Sequence, residues 1–179
     1  SGDIITEQNI HTLDVVNWIM DTDPIQASGT CGHKIRDDGG DCHDSFMVVY
    51  EYPDSVGISF SSRQFEGYGA SGGIKNRMFG KDGVLETTYG GDVLIRGENK
   101  YEGGNTGNIF TNGVITNIAT FHESIRSNQF DNSTVAPSVR SNLITVLGRT
   151  AAYRNQTISW KKLLEEKEEL EWSDSGLKS

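Results

Sequence analysis

Apolar residues recur at helical spacing near the start of the chain, between Glu7 and Met20. Glu7, His11, Asp14 and Trp18 stand at positions i, i+4, i+7 and i+11, so at about 100° per residue they share one narrow stripe. Most other positions of this stretch are apolar, which predicts one continuous and largely buried helix. The polar atoms of a buried stripe need partners, so we expect these side chains to face other polar groups, water or a ligand.

The middle of the chain has the two-residue alternation of β-strands. The predicted strands span residues 25–35, 45–52, 56–63, 74–79, 84–88 and 93–95. Turn sequences at Pro53–Ser55 and Gly80–Gly83 predict antiparallel hairpins. Residues 45–52 are apolar on both faces, so we expect this strand to be covered on both sides. Residues 97–108 are polar and rich in glycine, which predicts a loop.

Helical spacing returns in the last third of the chain. Val114, Ile118, Phe121 and Ile125 predict an amphipathic helix, which residues 131–134 end. A second helix is expected from Pro137 to about residue 153, and a short third helix after an N-cap at Ser159.

Helix, strands and helices in this order predict an α+β fold. We expect a mostly antiparallel open sheet of about six strands with helices packed on one face, forming a single domain over residues 1–179. Because these helices cannot cover both faces, we expect a partner subunit or another domain on the second face.

Composition narrows the possible partners. The chain has 179 residues, 35% of them hydrophobic, and a net charge of −9. An acidic protein is not expected to bind nucleic acid, because phosphate binding needs a basic surface. No apolar run approaches the roughly 20 residues that span a bilayer. We expect a cytoplasmic location, with an export signal upstream of the first residue left open.

Two patterns suggest cofactors, and both are poor matches. Cys31, His33, Cys42 and His43 are zinc-binding types, but an adjacent Cys-His pair is not a tetrahedral spacing, so we expect no metal and two reduced thiols. Gly67–Gly72 matches the G-x-G-x-x-G pattern of dinucleotide-binding folds. That pattern requires a helix opening directly on the glycines, and strand-type residues follow here, so no cofactor cradle is expected.

The helical stripe has two interpretations. In one, His11 and Asp14 are an i,i+3 pair that fixes the helix against its neighbours. In the other, a carboxylate holds His11 in one tautomer and its second ring nitrogen faces a cleft.

Three separated motifs carry a family resemblance. The stretches Gly2 to Trp18, Met78 to Glu86, and Ser138 to Tyr153 with a following Trp160 resemble the C-terminal domain of the glucose-fructose oxidoreductase, inositol dehydrogenase and MocA (Gfo/Idh/MocA) family. In that family an N-terminal Rossmann domain binds NAD or NADP. The C-terminal domain supplies the substrate pocket and, through its open sheet, the oligomer interface. The Rossmann domain and its catalytic lysine are absent from this chain.

The resemblance assigns roles to individual residues. The family's aspartate-x-x-x-histidine pair maps onto Glu7 and His11, with glutamate in place of aspartate. It implies hydride transfer from a sugar or polyol carbon to nicotinamide while His11 takes the hydroxyl proton. Glu7 would orient His11 or bind a substrate hydroxyl, and Asp14 and Trp18 would be structural.

The remaining expectations concern the pocket, the partners and the alternatives. Arg63, Lys75 and Arg77 are further candidates for the substrate pocket. We expect the isolated chain to form a dimer or tetramer through its sheet face, to bind no NAD and to be inactive. The alternatives are an NAD-dependent glycosidase of the same family and a binding or assembly module without catalytic function.

Overall fold

A computed structural model of the chain describes residues 2–35, 40–65, 67–69 and 73–168. The helices are α1 (Asp3–Glu7), α2 (Ile10–Met20), α3 (Ile109–Arg126), α4 (Val135–Arg154) and α5 (Trp160–Glu166). The strands are β1 (Gln26–Gly32), β2 (Ser45–Tyr52), β3 (Val56–Arg63), β4 (Lys75–Phe79), β5 (Gly83–Thr88), β6 (Asp92–Gly97), β7 (Tyr101–Asn105) and β8 (Ile158–Ser159). The predicted α+β class with antiparallel sheets is confirmed.

The chain divides into two compact units. The first unit contains Ser1–Asn9, Thr22–Gln64 and Asn142–Ser179, and the second contains Ile10–Asp21 and Phe65–Ser141. Each unit has its own four-stranded antiparallel sheet, ordered β3-β2-β1-β8 in the first and β4-β5-β6-β7 in the second. The expectation of one sheet of about six strands is therefore wrong. Periodicity identifies strands, but it does not show which strands exchange backbone hydrogen bonds.

The core of the first unit lies on one face of β2. Phe46, Val48, Tyr50 and Tyr52 are buried there. The intervening Met47 and Val49 are 62% and 53% exposed. The second face of β2 is open within the described chain, so its cover by a partner subunit or another domain stays a prediction.

Helix α4 completes this core and places a glycine against Tyr50. Gly148 lies where the ring of Tyr50 approaches the helix, and a Cβ added there would stand 2.8 Å from Tyr50 Cζ and 3.3 Å from Ile5 Cδ1. Burial raises the pKa of the Tyr50 phenol, and its oxygen has no hydrogen-bond partner among the described residues. The fit of ring against helix therefore depends on a glycine.

A buried carboxylate links three distant parts of the first unit. Asp3 is 1% exposed. It accepts hydrogen bonds from the His43 backbone N–H at 2.7 Å, from Arg149 Nε at 2.6 Å, and from the Tyr153 hydroxyl at 2.9 and 3.0 Å. Arg149 Cζ lies 4.2 Å from the centre of the Tyr153 ring, and the His43 ring stacks on that ring at 4.3 Å.

This network shifts the pKa values of its members. Burial, together with the hydrogen bond and charge of Asp3, raises the pKa of Tyr153 from 10.0 to about 12. Burial and the Asp3 charge likewise raise the pKa of Cys31 from 9.0 to about 11. For Arg149, burial lowers the pKa, but the hydrogen bond and charge of Asp3 outweigh it, so the net shift is upward.

The first predicted helix is interrupted. Gln8 N and Asn9 N both donate to the Ile4 carbonyl, at 3.1 and 2.9 Å, which closes α1, and α2 begins at Ile10. The periodicity predicted one continuous helix that contains both Glu7 and His11, and this prediction is wrong.

The polar stripe is also exposed rather than buried. Glu7, His11 and Asp14 are exposed, and Trp18 is 80% exposed. The face of α2 that is buried carries Leu13, Val16 and Asn17. The prediction of a buried stripe is wrong because apolar residues flank the stripe on both sides, yet only one narrow side of α2 is buried.

The sheet of the second unit differs from expectation at β7. Residues 97–108 were predicted as a loop, yet Tyr101–Asn105 pairs with β6, with Asp92 opposite Asn105 and Val93 opposite Gly104. Its residues are all exposed, so no hydrophobic alternation marks this edge strand.

Helix α3 begins where the Asn108 side chain accepts a hydrogen bond from Thr111 N. The predicted amphipathic helix is present, but none of its residues is buried in the described structure. No described helix is both long and apolar enough to cross a bilayer.

The contact between Gly148 and Tyr50 gives a stability prediction. Alanine at a helix-interior glycine normally stabilises by roughly 0.5–1 kcal/mol, but Gly148→Ala should destabilise by about 1–3 kcal/mol through overpacking. The free energy of unfolding in urea is the measurement. Gly113→Ala is the matched control, because a Cβ at Gly113 would meet nothing within 4 Å. Adding Tyr50→Phe should recover part of the loss. Equal stabilisation by both alanines would contradict this packing.

The raised pKa values of Cys31 and Tyr153 predict a loss of stability in alkali. Both groups ionise earlier in the unfolded chain, so their contribution is complete below about pH 9 and is lost as pH rises toward 12. The free energy of unfolding, measured from pH 8 to 11, should fall less steeply in Tyr153→Phe and Cys31→Ser than in the wild type. Tyr101→Phe, at an exposed tyrosine of β7, is the control. Wild-type stability that stays constant up to pH 11 would refute the prediction.

Candidate active site

The imidazole of His11 lies on the exposed face of α2, at the second residue of the helix. It stacks on the ring of Tyr89, with the ring centres 5.9 Å apart and the planes at 27°. Tyr89 in turn meets Phe110 edge to face at 5.5 Å. An acid–base side chain and two aromatic rings therefore form one cluster in the second unit.

Tyr89 is held by the turn that links β5 to β6. Its backbone N–H donates to the Ile74 carbonyl, and Gly91 N donates to the Thr88 carbonyl, both at 2.9 Å. Gly90 has a φ of +69°, a conformation that favours glycine. The turn residues Tyr-Gly-Gly thus fix the backbone from which the Tyr89 ring reaches His11.

The polar groups of α2 bind the start of α4. Asp14 Oδ1 accepts from the buried Ser141 hydroxyl at 2.5 Å, and Asn17 Nδ2 donates to Ser141 Oγ at 2.8 Å. The Pro137 carbonyl lies 3.0 Å from Ser141 Oγ and 3.4 Å from Asn17 Nδ2. These bonds fix the rotation of α2 about its axis, and this rotation points His11 outward. The structural role of Asp14 stays a prediction.

The other predicted site residues are divided between the units. Glu7 ends α1 and Arg63 ends β3, both exposed in the first unit. Trp18 lies in the second unit with His11, two turns further along α2. Convergence of Glu7 and Arg63 with His11 on one pocket stays a prediction.

Lys75 and Arg77 lie in a groove on the sheet of the second unit. The groove has a volume of about 280 Å³. Its lining residues are Lys75, Asn76, Arg77, Glu86, Thr87, Thr88, Asp92, Leu94 and Arg96. Glu86 accepts from Arg77 Nε at 2.8 Å and also pairs with Arg96. His11 is not in this lining, so the groove does not bring Lys75 and Arg77 together with it.

The cysteine and histidine region contains one close pair. His43 Nδ1 lies 2.9 Å from Cys31 Sγ, whereas Cys42 is exposed and its thiol contacts Asp41. In the described part of the chain, no three His, Cys, Asp or Glu side chains converge as metal ligands would. The raised pKa of Cys31 keeps its thiol protonated near neutral pH.

Sequence reasoning missed the partners of the candidate residues. Tyr89, Phe110 and Ser141 are far from α2 along the chain, and no local periodicity connects them to it. Tyr89 follows a strand and precedes two glycines, a turn signal that located the residue but not its contact.

Comparison with known proteins supports the fold. No family model matches the chain, and no curated protein matches it significantly in sequence. Among solved structures, myo-inositol 2-dehydrogenase from Lactobacillus plantarum matches with 16% identity and a TM-score of 0.67, over 89% of this chain and 49% of that chain. Scyllo-inositol dehydrogenase from Lactobacillus casei, solved with NAD(H) and scyllo-inositol, matches with 14% identity and a TM-score of 0.65, over 89% and 48%.

A third similar structure is that of a dehydrogenase named for a nucleotide sugar. UDP-N-acetylglucosamine 3-dehydrogenase from Acidithiobacillus ferrooxidans matches with 13% identity and a TM-score of 0.67, over 86% of this chain and 48% of that chain. The chain spans about half the length of each of these proteins. The predicted resemblance is confirmed for the fold: the chain adopts the α+β fold that forms about half of each of these dehydrogenases.

Proposed function

We propose that this chain is the substrate-binding and oligomerisation domain of an NAD(P)-dependent oxidoreductase of the Gfo/Idh/MocA family. Its substrate would be a sugar, a polyol or a sugar derivative, and its nucleotide-binding domain would lie outside these 179 residues. The observation that carries the proposal is the exposed imidazole of His11 on a helix fixed by buried hydrogen bonds, within a fold found in inositol dehydrogenases.

His11 would act as the general base. Oxidation of an alcohol requires that the hydroxyl proton leave, and a neutral imidazole nitrogen within hydrogen-bond reach accepts it. Glu7 would bind a second substrate hydroxyl or orient His11. Because Glu7 is one methylene longer than the family's aspartate, it reaches further, so its identity bears on which substrate is accepted.

The glycines at residues 67–72 give no support for a nicotinamide site in this chain. Gly67–Gly69 lie in a turn, and the next element among the described residues is the strand β4, not a helix whose N-terminus could meet a pyrophosphate. Ala70, Ser71 and Gly72, which complete the motif, lie outside the described residues. NAD or NADP, which accepts the hydride in this class of reaction, would therefore bind mainly to another domain.

Self-association belongs to the same proposal. The open face of β2 carries exposed Met47 and Val49, and a second copy of the chain would cover them. Apolar side chains on an open sheet face are typical of subunit interfaces.

Replacing the general base tests the catalytic part of the proposal. In the complete protein that carries this chain, His11→Ala should lower kcat by about 10² or more, because proton transfer from the substrate would have no acceptor. His122→Ala is the matched control, since His122 is an exposed histidine on α3. Steady-state reduction of NAD or NADP with the preferred sugar or polyol is the measurement.

The outcomes separate the alternatives. Equal kcat for His11→Ala and His122→Ala would reject His11 as the base. Glycoside cleavage without net nicotinamide reduction would indicate the glycosidase, and the absence of any turnover by the wild type would indicate a binding module.

A further inference from the structure

We infer that Tyr89 is a positioning residue that holds the plane of the His11 imidazole, with Phe110 supporting Tyr89 from behind. The inference rests on the proposed role of His11 and adds a residue that the sequence motifs did not include.

The stacking geometry is the first support. The 5.9 Å separation of the His11 and Tyr89 ring centres and their 27° tilt describe a stacked pair, within the 4.5–7 Å range of favourable aromatic contacts. Such a contact fixes a ring plane more than it fixes a position along the plane.

An exposed histidine needs such a contact. The last torsion of histidine is broad and roughly two-fold, so a solvent-exposed imidazole turns freely unless a neighbour holds it. Within the described part of the second unit, no hydrogen bond reaches the His11 ring. Stacking on Tyr89 is therefore the interaction there that selects its orientation.

Tyr89 is itself held from two sides. The β5–β6 turn fixes its backbone through bonds to Ile74 and within the turn, and Phe110 meets its ring at 77°. Phe110 is the second residue of α3, whose first turn is capped by Asn108. Phe110 is 67% exposed, so its contact with Tyr89, and not burial in a core, gives it a function here.

The orientation matters because proton transfer is directional. The lone pair of the imidazole nitrogen lies in the ring plane, so a rotated ring directs it away from the substrate hydroxyl. Misalignment of this kind lowers the rate of the chemical step more than it weakens substrate binding.

The kinetic test uses the complete protein and a graded set of variants. Tyr89→Phe keeps the ring and should keep kcat within about twofold. Tyr89→Leu should lower kcat by about tenfold or more with a smaller change in KM, and Phe110→Leu should fall between them. Tyr101→Leu, at an exposed tyrosine of β7, is the matched control and should resemble the wild type.

A second measurement reports the ring contact without activity. The chain contains four histidines, so isotope labelling of histidine gives a simple NMR spectrum of the 179-residue chain. The His11 ring-proton resonances should move downfield in Tyr89→Leu, because the ring current of Tyr89 is lost, and should stay close to wild type in Tyr89→Phe. His33, His43 and His122 are internal controls for the fold of each variant.

The two measurements distinguish failure of this inference from failure of the proposed function. Unmoved His11 resonances in Tyr89→Leu overturn the stacking, and a wild-type kcat in Tyr89→Leu, when His11→Ala is inactive, overturns the positioning role. If the wild type turns over no substrate, the proposed function fails and the catalytic role of Tyr89 fails with it, whereas the resonance shift still decides whether Tyr89 holds His11.

Discussion

The first unit depends on the hydrogen bonds and the ion pair of one buried carboxylate, that of Asp3. An ionised carboxylate removed from water is stable only if it is paired and hydrogen-bonded, and Asp3 has the Arg149 guanidinium, the Tyr153 hydroxyl and the His43 N–H. Removing one partner of a buried ion pair lowers the free energy of unfolding by on the order of 3–5 kcal/mol. The network brings the first turn of α1, the approach to β2 and the end of α4 to one point, beside the core in which Tyr50 packs against Gly148.

The second unit uses the same principle for another purpose. The buried Ser141 side chain accepts a hydrogen bond from Asn17 Nδ2 and donates one to Asp14 Oδ1, and these bonds anchor α2. His11 lies on the same helix and stays exposed. With its helix anchored by hydrogen bonds and its ring stacked on Tyr89, His11 would be suited to accept a proton from a bound hydroxyl.

Sequence patterns predicted secondary structure well where the side-chain pattern itself determines the local backbone conformation. The strands 45–52 and 56–63 were predicted to the residue, and Ser159 does cap α5, because alternation and capping are local properties. The break at Gln8 and Asn9, the exposed strand β7 and the division into two sheets depend on backbone pairing, which side-chain periodicity does not encode. His11 as a candidate followed from the resemblance. Its contact with Tyr89 joins residues far apart in the chain and became visible only in the folded structure.

The proposed function requires that the complete protein oxidise a sugar or polyol with NAD or NADP. Its most direct test is the net reduction of nicotinamide by the complete wild-type protein, offered a panel of polyols, free sugars and nucleotide sugars with each cofactor. At least one compound should yield reduced cofactor in a one-to-one ratio with oxidised substrate. Cleavage of a glycoside with no accumulation of reduced cofactor, or no reaction with any compound, would contradict the proposed function.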